Sequence, residues 1–128
     1  AHPWFGVGMG NFGPAIAGHP LQEPIGGWLI VNNEFLELLA ETGIFGFTAF
    51  MSFLAVLFFR SIQALRVSAD SFERRTLIGL FAAFCGVVVQ YQTFSILFIM
   101  HIWFLFGLMV AVQNMLLEQK KIGDDSHV

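Results

Sequence analysis

The feature that most constrains this chain is an eighteen-residue stretch, from Thr42 to Phe59, that contains neither a charged residue nor a proline. Eighteen helical residues extend over about 27 Å, close to the roughly 30 Å hydrocarbon core of a bilayer. The stretch from Ser95 to Leu117 is again nearly all apolar. With 56% hydrophobic residues and sixteen phenylalanines, the chain is too apolar for a soluble domain of 128 residues. The sequence therefore predicts an all-α membrane protein.

Proline, glycine and charge divide the chain into segments. All four prolines lie in the first 24 residues, which excludes a long helix there. Asn32 is predicted to be the N-cap of the first membrane-spanning helix, and residues 122–128 are predicted to lack regular structure. The predicted segments are a Gly/Pro-rich loop at 1–32, a transmembrane helix at 33–59, a polar connector at 60–75, two transmembrane helices within 76–117 with a short turn near 90–95, and a tail at 118–128.

The basic residues predict the orientation of these three helices. All six lie in the connector or the tail: Arg60, Arg66, Arg74, Arg75, Lys120 and Lys121. Because basic residues collect on the cytoplasmic side, the connector and the tail are predicted to be cytoplasmic and the loop at 1–32 to face outward. The chain begins at Ala1 without the pattern of a signal peptide, so we expect a fragment of a larger polytopic protein.

Several classes of function are disfavoured by the sequence. The single cysteine, Cys85, excludes a disulfide within the chain and a cysteine-based zinc site. His2 and His19 are too isolated to predict a metal site, and no basic tract suggests a nucleic-acid partner. We expect neither a metal nor a cofactor.

The glycines of the loop follow one another at every second position, Gly6, Gly8 and Gly10. The spacing and the surroundings differ from those of a dinucleotide-binding motif. A structural turn explains the glycines, and a close backbone approach to a membrane surface or a ligand phosphate is the functional alternative.

Three carboxylates follow at helical spacing. Glu34, Glu37 and Glu41 occupy positions i, i+3 and i+7 and share one face near the start of the first helix. Glu34 can be a first-turn acid that interacts with the helix dipole. Glu37 and Glu41 lie deeper and are expected to face a polar cavity, where at least one lines a substrate site.

Small and polar residues also occur within the apolar helices. Gly43 and Gly46 are three residues apart and favour close approach of a neighbouring helix. His101, in the third predicted span, either forms a structural hydrogen bond with the polar residues 90–92 or handles protons.

Two segments, Pro3–Phe12 and Asn32–Gly46, resemble the O-antigen ligase and polymerase family. The family pattern is His-Asn, nine residues, then Gly-x-x-Gly. Here Asn33, residues 34–42, Gly43 and Gly46 match that spacing without a gap, while Asn32 stands in place of the histidine that serves the ligases as general base.

The resemblance implies a glycosyltransferase that moves polyprenyl-diphosphate-linked saccharide to an acceptor at the outer face of the bacterial inner membrane, as in polysaccharide and lipopolysaccharide biosynthesis. Its partners are then the membrane lipid, the lipid-linked glycan and the remaining N-terminal helices of the same protein. The candidate catalytic residues are Asn32, Glu34 and Glu37, and the candidate substrate-binding residues are Gly8, Gly10, Asn11, Asn33 and Glu41.

Two alternatives remain open at this point. The chain can belong to a non-catalytic membrane transport or assembly subunit whose outer loop binds a partner. It can also be a family member that kept the fold and lost catalysis, since Asn32 cannot accept a proton as a histidine does.

Overall fold

The structure, a computed structural model, describes residues 3–16, 33–67, 71–93 and 99–125. These residues form four helices and contain no β-strand. The prediction of an all-α fold is confirmed for the described residues. The helices are α1 (Phe12–Ile16), α2 (Glu34–Val67), α3 (Phe72–Gln90) and α4 (Met100–Asp125).

Two helices are long and apolar enough to cross a membrane: Glu34–Arg66, which is most of α2, and Met100–Gln119 in α4. Large apolar side chains remain exposed along both, including Val56 and Phe59 on α2 and Phe104 on α4. Exposed apolar surface of this extent is characteristic of helices that are surrounded by lipid. The 19 residues of α3 include Glu73, Arg74 and Arg75 in the first turn, and among the described helices α3 does not qualify as a span.

The helices extend beyond the ends that hydropathy predicts. α2 continues to Val67, so the first half of the connector predicted at 60–75 is helical. Arginine, glutamine, alanine and leucine in this segment are good helix formers, and no glycine or proline interrupts them. α4 continues to Asp125, so the prediction that residues 122–128 lack regular structure is wrong for the first four of them.

The start of α3 also differs from the prediction. α3 begins at Phe72, four residues before the predicted span, because Ser71 caps it: the Ser71 hydroxyl accepts a hydrogen bond from the Arg74 amide at 3.3 Å. The Glu73 carboxylate also accepts a hydrogen bond from its own amide and interacts with the Ser71 side chain, and both effects lower the pKa of Glu73. A cap and an acid in the first turn together fix this helix start.

The chain forms two compact units, and α2 and α3 contribute to both. The first unit contains the described residues up to Ser52 together with 89–93. The second contains Phe53–Val88 and the described residues from Ile99 onward. Helices α2, α3 and α4 bury a small apolar core in the second unit, formed by Ala64, Leu77, Val112 and Leu116.

Polar groups also join α2 to α4 inside the second unit. The fully buried Gln113 donates from Nε2 to the Leu57 carbonyl at 3.1 Å and to the Ser61 hydroxyl at 2.7 Å. The Ser61 hydroxyl itself donates to the Leu57 carbonyl at 2.9 Å. Nearby in sequence, Arg60 Nη2 donates to Asn114 Oδ1 at 2.7 Å. In an apolar environment these hydrogen bonds hold Gln113 next to Ser61 and Asn114 next to Arg60.

Candidate functional site

The helical hydrogen bonding of α2 is interrupted at Gly43, which has φ 68° and ψ −169°. In a continuous helix the Ile44 amide would bond to the Ala40 carbonyl, and the Phe45 amide would bond to the Glu41 carbonyl. The interruption leaves these two donors and two acceptors in need of other partners.

The loop before α1 supplies all four partners. Its backbone enters the gap in α2, where two of its amides donate to the free carbonyls of α2 and two of its carbonyls accept from the free amides. The Val7 amide donates to Ala40 O at 3.0 Å, the Gly8 amide to Glu41 O at 2.8 Å, the Ile44 amide to Pro3 O at 3.0 Å and the Phe45 amide to Trp4 O at 3.4 Å.

Glycine is required on both sides of this contact because the two backbones approach closely. A Cβ on Gly43 would lie 2.5 Å from the Trp4 carbonyl and 2.6 Å from the Phe5 amide nitrogen. A Cβ on Gly6 would overlap the Glu41 carbonyl, and both glycines have positive φ. The expectation that Gly43 admits a neighbouring helix is therefore wrong, since the segment it admits is the loop. At Gly46 the close neighbour is the side chain of Thr42 on the same helix.

The Glu41 side chain strengthens the same contact. Glu41 is 5% exposed, and its Oε1 accepts a hydrogen bond at 3.3 Å from the amide of Phe12, the first residue of α1. Aromatic side chains cover the contact, with ring centroids of Trp4 and Phe5 at 5.8 and 5.6 Å from that of Phe45. Glu41 thus holds the loop through both its carbonyl and its carboxylate.

The start of α2 is fixed by Asn33. Asn33 Oδ1 accepts from the Leu36 amide at 3.1 Å, which is the pattern of an N-cap, and Nδ2 donates to the Gln92 carbonyl at 3.2 Å. The prediction that Asn32 caps the helix is therefore wrong by one residue. Asn32 itself lies outside the described residues.

The next residue, Glu34, is the first of α2 and packs beside the turn that follows α3. The Glu34 amide donates to the Tyr91 carbonyl at 2.8 Å, and the Glu34 side chain is 3% exposed. Tyr91 is fully buried, and its ring lies 5.9 Å from Phe35 and 6.1 Å from Phe50. Among the described residues no group forms a hydrogen bond with the Tyr91 hydroxyl.

The predicted site residues consequently fall into two groups along α2. Gly8 and Asn11 belong with Glu41, since Gly8 donates to the Glu41 carbonyl and accepts from the Asn11 amide at 3.1 Å. Asn33 and Glu34 belong with the turn at 91–93. Glu37 is half-buried and lies one helical turn from each group.

Gly10 and His101 are two further candidate residues, and both are exposed. Gly10 has positive φ and is exposed, with open space around it among the described residues. His101 is exposed at the start of α4. Within the described ranges, no three His, Cys, Asp or Glu side chains are grouped to bind a metal.

Tyr91 is the residue whose importance the sequence did not indicate. It is the one tyrosine of the chain and stands between Gln90 and Gln92. That sequence context predicts only a polar turn. Burial raises the pKa of Tyr91 to about 12, and the negative charge of Glu34 adds to the increase.

The Tyr91 pKa leads to a testable prediction. Absorbance of tyrosinate near 295 nm, taken as the difference between the wild type and Tyr91→Phe, should show a midpoint near pH 12 in the folded protein and near pH 10 after denaturation. Since the folded state keeps a proton that the unfolded chain releases, the free energy of unfolding should fall as the pH rises from about 10 to 12. A midpoint near pH 10 in the folded protein would contradict the burial of this hydroxyl.

Comparison of the chain with models of known protein families, with curated proteins and with solved structures finds no match. The two groups of residues around α2 are the strongest indication of function in the described residues.

Proposed function

We propose that this chain is the C-terminal portion of a membrane glycan ligase or polymerase. It transfers saccharide from a polyprenyl diphosphate to an acceptor at the outer face of the bacterial inner membrane. In this proposal α3 is a third membrane-spanning helix, the C-terminus is cytoplasmic, and further helices of the same protein precede the chain. The distribution of the six basic residues supports this orientation.

One observation carries the proposal: the two segments that resemble the O-antigen ligase and polymerase family contact each other. The glycine-rich segment enters the interruption of α2 at Gly43, which is the first glycine of the Gly-x-x-Gly pattern. Residues that are 29 or more positions apart in sequence thus form one local structure. Their joint presence in the sequence is explained if this structure is the acceptor side of a substrate cavity.

The carboxylates next to this contact can supply the base that the missing histidine would otherwise provide. Transfer requires that the acceptor hydroxyl loses its proton as its oxygen bonds to the anomeric carbon and the bond from that carbon to the diphosphate oxygen breaks. We assign the base role to Glu37, because it is half-buried and accessible to an acceptor. Glu41 is engaged with the loop, and Glu34 is almost fully buried.

The other predicted residues have supporting roles in this proposal. Asn33 positions the start of α2, and Gly8 and Asn11 shape the loop. Asn32 is proposed to contact the acceptor. The leaving diphosphate needs cationic groups, and residues 1–59 contain no lysine or arginine. These cations are therefore proposed to come from other helices of the full-length protein.

The proposal is tested with a strain that lacks the full-length protein. We expect its polysaccharide profile to lose the transferred glycan and its membranes to accumulate the lipid-linked saccharide. Expression of the wild-type protein should restore both, and purified protein in vesicles should convert the lipid-linked donor when an acceptor is added. An unchanged profile in the deletion strain would contradict the proposal.

A second candidate function is favoured by the exposed surface of the loop. Trp4, Phe5 and Met9 are 57, 74 and 60% exposed although the backbone beneath them is held by hydrogen bonds. Rigidly presented aromatic residues are common in surfaces that bind partners. The alternative is thus a non-catalytic transport or assembly subunit, in which Phe5→Ala would abolish copurification of a partner while the lipid-linked saccharide stays unchanged.

A further inference from the structure

An open groove of about 340 Å³ lies along the C-terminal part of α2, within the second compact unit. Phe59, Ile62, Gln63 and Arg66 line it, and their spacing places them on one face of the helix. Along the helix the lining changes from apolar to polar and then to cationic. A phospholipid changes in the same order, from its acyl chains through the glycerol to the phosphate.

The position of the groove along α2 matches the boundary of a bilayer. The uncharged stretch of α2 ends at Phe59, so Phe59 lies at the edge of the hydrocarbon core when that stretch crosses it. Arg66 is seven residues further, or about 10 Å, and a headgroup layer is roughly 5 to 8 Å thick. Because helical side chains tilt toward the N-terminus, Arg66 leans back toward the bilayer, and its long side chain reaches the level of the phosphates.

The charge of this surface selects the kind of lipid. From Thr42 to the end of α2 the sequence contains no aspartate or glutamate. Arg60 Nη2 donates to Asn114 on α4, and Arg60 is not among the residues that line the groove. Arg66 is exposed and is the one charged residue that lines the groove. A groove whose one charged side chain is cationic attracts a lipid with net negative charge more strongly than a zwitterionic lipid with the same chains.

We propose that this groove binds one anionic phospholipid of the leaflet that surrounds the C-terminal end of α2. The lipid phosphate pairs with Arg66, the Gln63 amide donates to an oxygen of the phosphate or glycerol, and one acyl chain lies against Phe59 and Ile62. The proposal requires only that α2 crosses a bilayer. It is independent of the proposed glycan transfer.

The proposal is tested by reconstituting the full chain in vesicles of equal parts phosphatidylglycerol and phosphatidylcholine. Extraction into mild detergent and native mass spectrometry then give the ratio of the two lipids that remain bound. We expect the wild type to favour phosphatidylglycerol by about fivefold and Arg66→Gln to bring the ratio close to one. Lys121→Gln removes an equal charge from an exposed position of α4 and should keep the preference.

A second variant separates the groove from the charge alone. Ile62→Trp keeps Arg66 and fills the groove, and it should reduce the amount of bound phosphatidylglycerol at least threefold. All variants must match the wild type in helical content by circular dichroism. Equal retention of both lipids by the wild type, an unchanged ratio in Arg66→Gln, or unchanged binding in Ile62→Trp would each overturn the proposal. Displacement of the lipid by millimolar glycerol phosphate would also overturn it, because the groove would then bind a free phosphate.

Discussion

Replacing Gly43 by alanine should lower the free energy of unfolding by about 3 kcal/mol or more. The backbone at Gly43, with φ 68° and ψ −169°, belongs to a region that residues with a Cβ rarely adopt and that costs them roughly 1 to 3 kcal/mol. The new methyl group would also overlap the backbone of Trp4 and Phe5. Relief of that overlap requires the loop to leave the gap, which disrupts hydrogen bonds worth about 0.5 to 1.5 kcal/mol each.

The measurement is unfolding by sodium dodecyl sulfate in mixed micelles, followed by circular dichroism, with limited proteolysis of the loop as a second readout. Gly86→Ala is the matched control, because Gly86 is exposed on α3 and a Cβ there has no described neighbour within 4 Å. Alanine favours a helix over glycine, so the control should be neutral or more stable by up to about 1 kcal/mol. Equal stabilities of Gly43→Ala and Gly86→Ala would mean that the loop does not depend on the interruption of α2.

Replacing Glu37 by glutamine in the full-length protein should lower kcat for glycan transfer by about 10² to 10⁴. Glutamine keeps the size of the side chain and can still form hydrogen bonds, but it cannot accept the acceptor proton. Because the effect is on the chemical step, KM for the lipid-linked donor should change little. The assay follows conversion of the lipid-linked saccharide in vesicles at saturating donor and acceptor.

Glu118→Gln is the control for the loss of a carboxylate, since Glu118 is exposed on α4. It should retain wild-type kcat. Unfolding of Glu37→Gln in the same micelles should occur at the wild-type detergent concentration, which separates loss of catalysis from loss of structure. A change in kcat smaller than about threefold in Glu37→Gln would exclude Glu37 as the base.

The parts of the fold that depend on composition were predictable from sequence. The uncharged stretch from Thr42 to Phe59 predicts a long apolar helix, and α2 contains it. The polar residues after Val89 predict a turn, and backbone hydrogen bonds from Gln92 to Val89 and from Thr93 to Gln90 form one. Both features are local, so the sequence around them contains the information they need.

Helix ends were less predictable because, at the membrane boundary, the hydropathy of the residues falls while their helix propensity stays high. From Arg60 to Val67 polar residues appear among the apolar ones. Good helix formers still predominate, so the helix continues where the apolar stretch stops. At the other end, Asn32 and Asn33 are equally good N-caps by residue type. The choice of Asn33 accompanies its hydrogen bond to the Gln92 carbonyl, 59 residues away.

The candidate residues follow from the sequence, but their arrangement does not. The spacing of Glu34, Glu37 and Glu41 gives their common face, but it does not show that Glu41 holds the loop or that Glu34 packs beside Tyr91. The interruption at Gly43 was also missed, because a glycine within an apolar helix more often serves helix packing. Its cause is the backbone of the segment beginning at Pro3, about forty residues earlier.

The contact of Gln113 with Leu57 and Ser61 has a consequence for the alignment of α2 and α4. Aliphatic side chains can slide past one another at little cost, but a buried amide in an apolar medium needs its partners. A displacement of α4 by one helical turn, about 5.4 Å, would separate Gln113 from both the Leu57 carbonyl and the Ser61 hydroxyl. The two helices are therefore restricted to a single axial register, which their apolar surfaces alone would not specify.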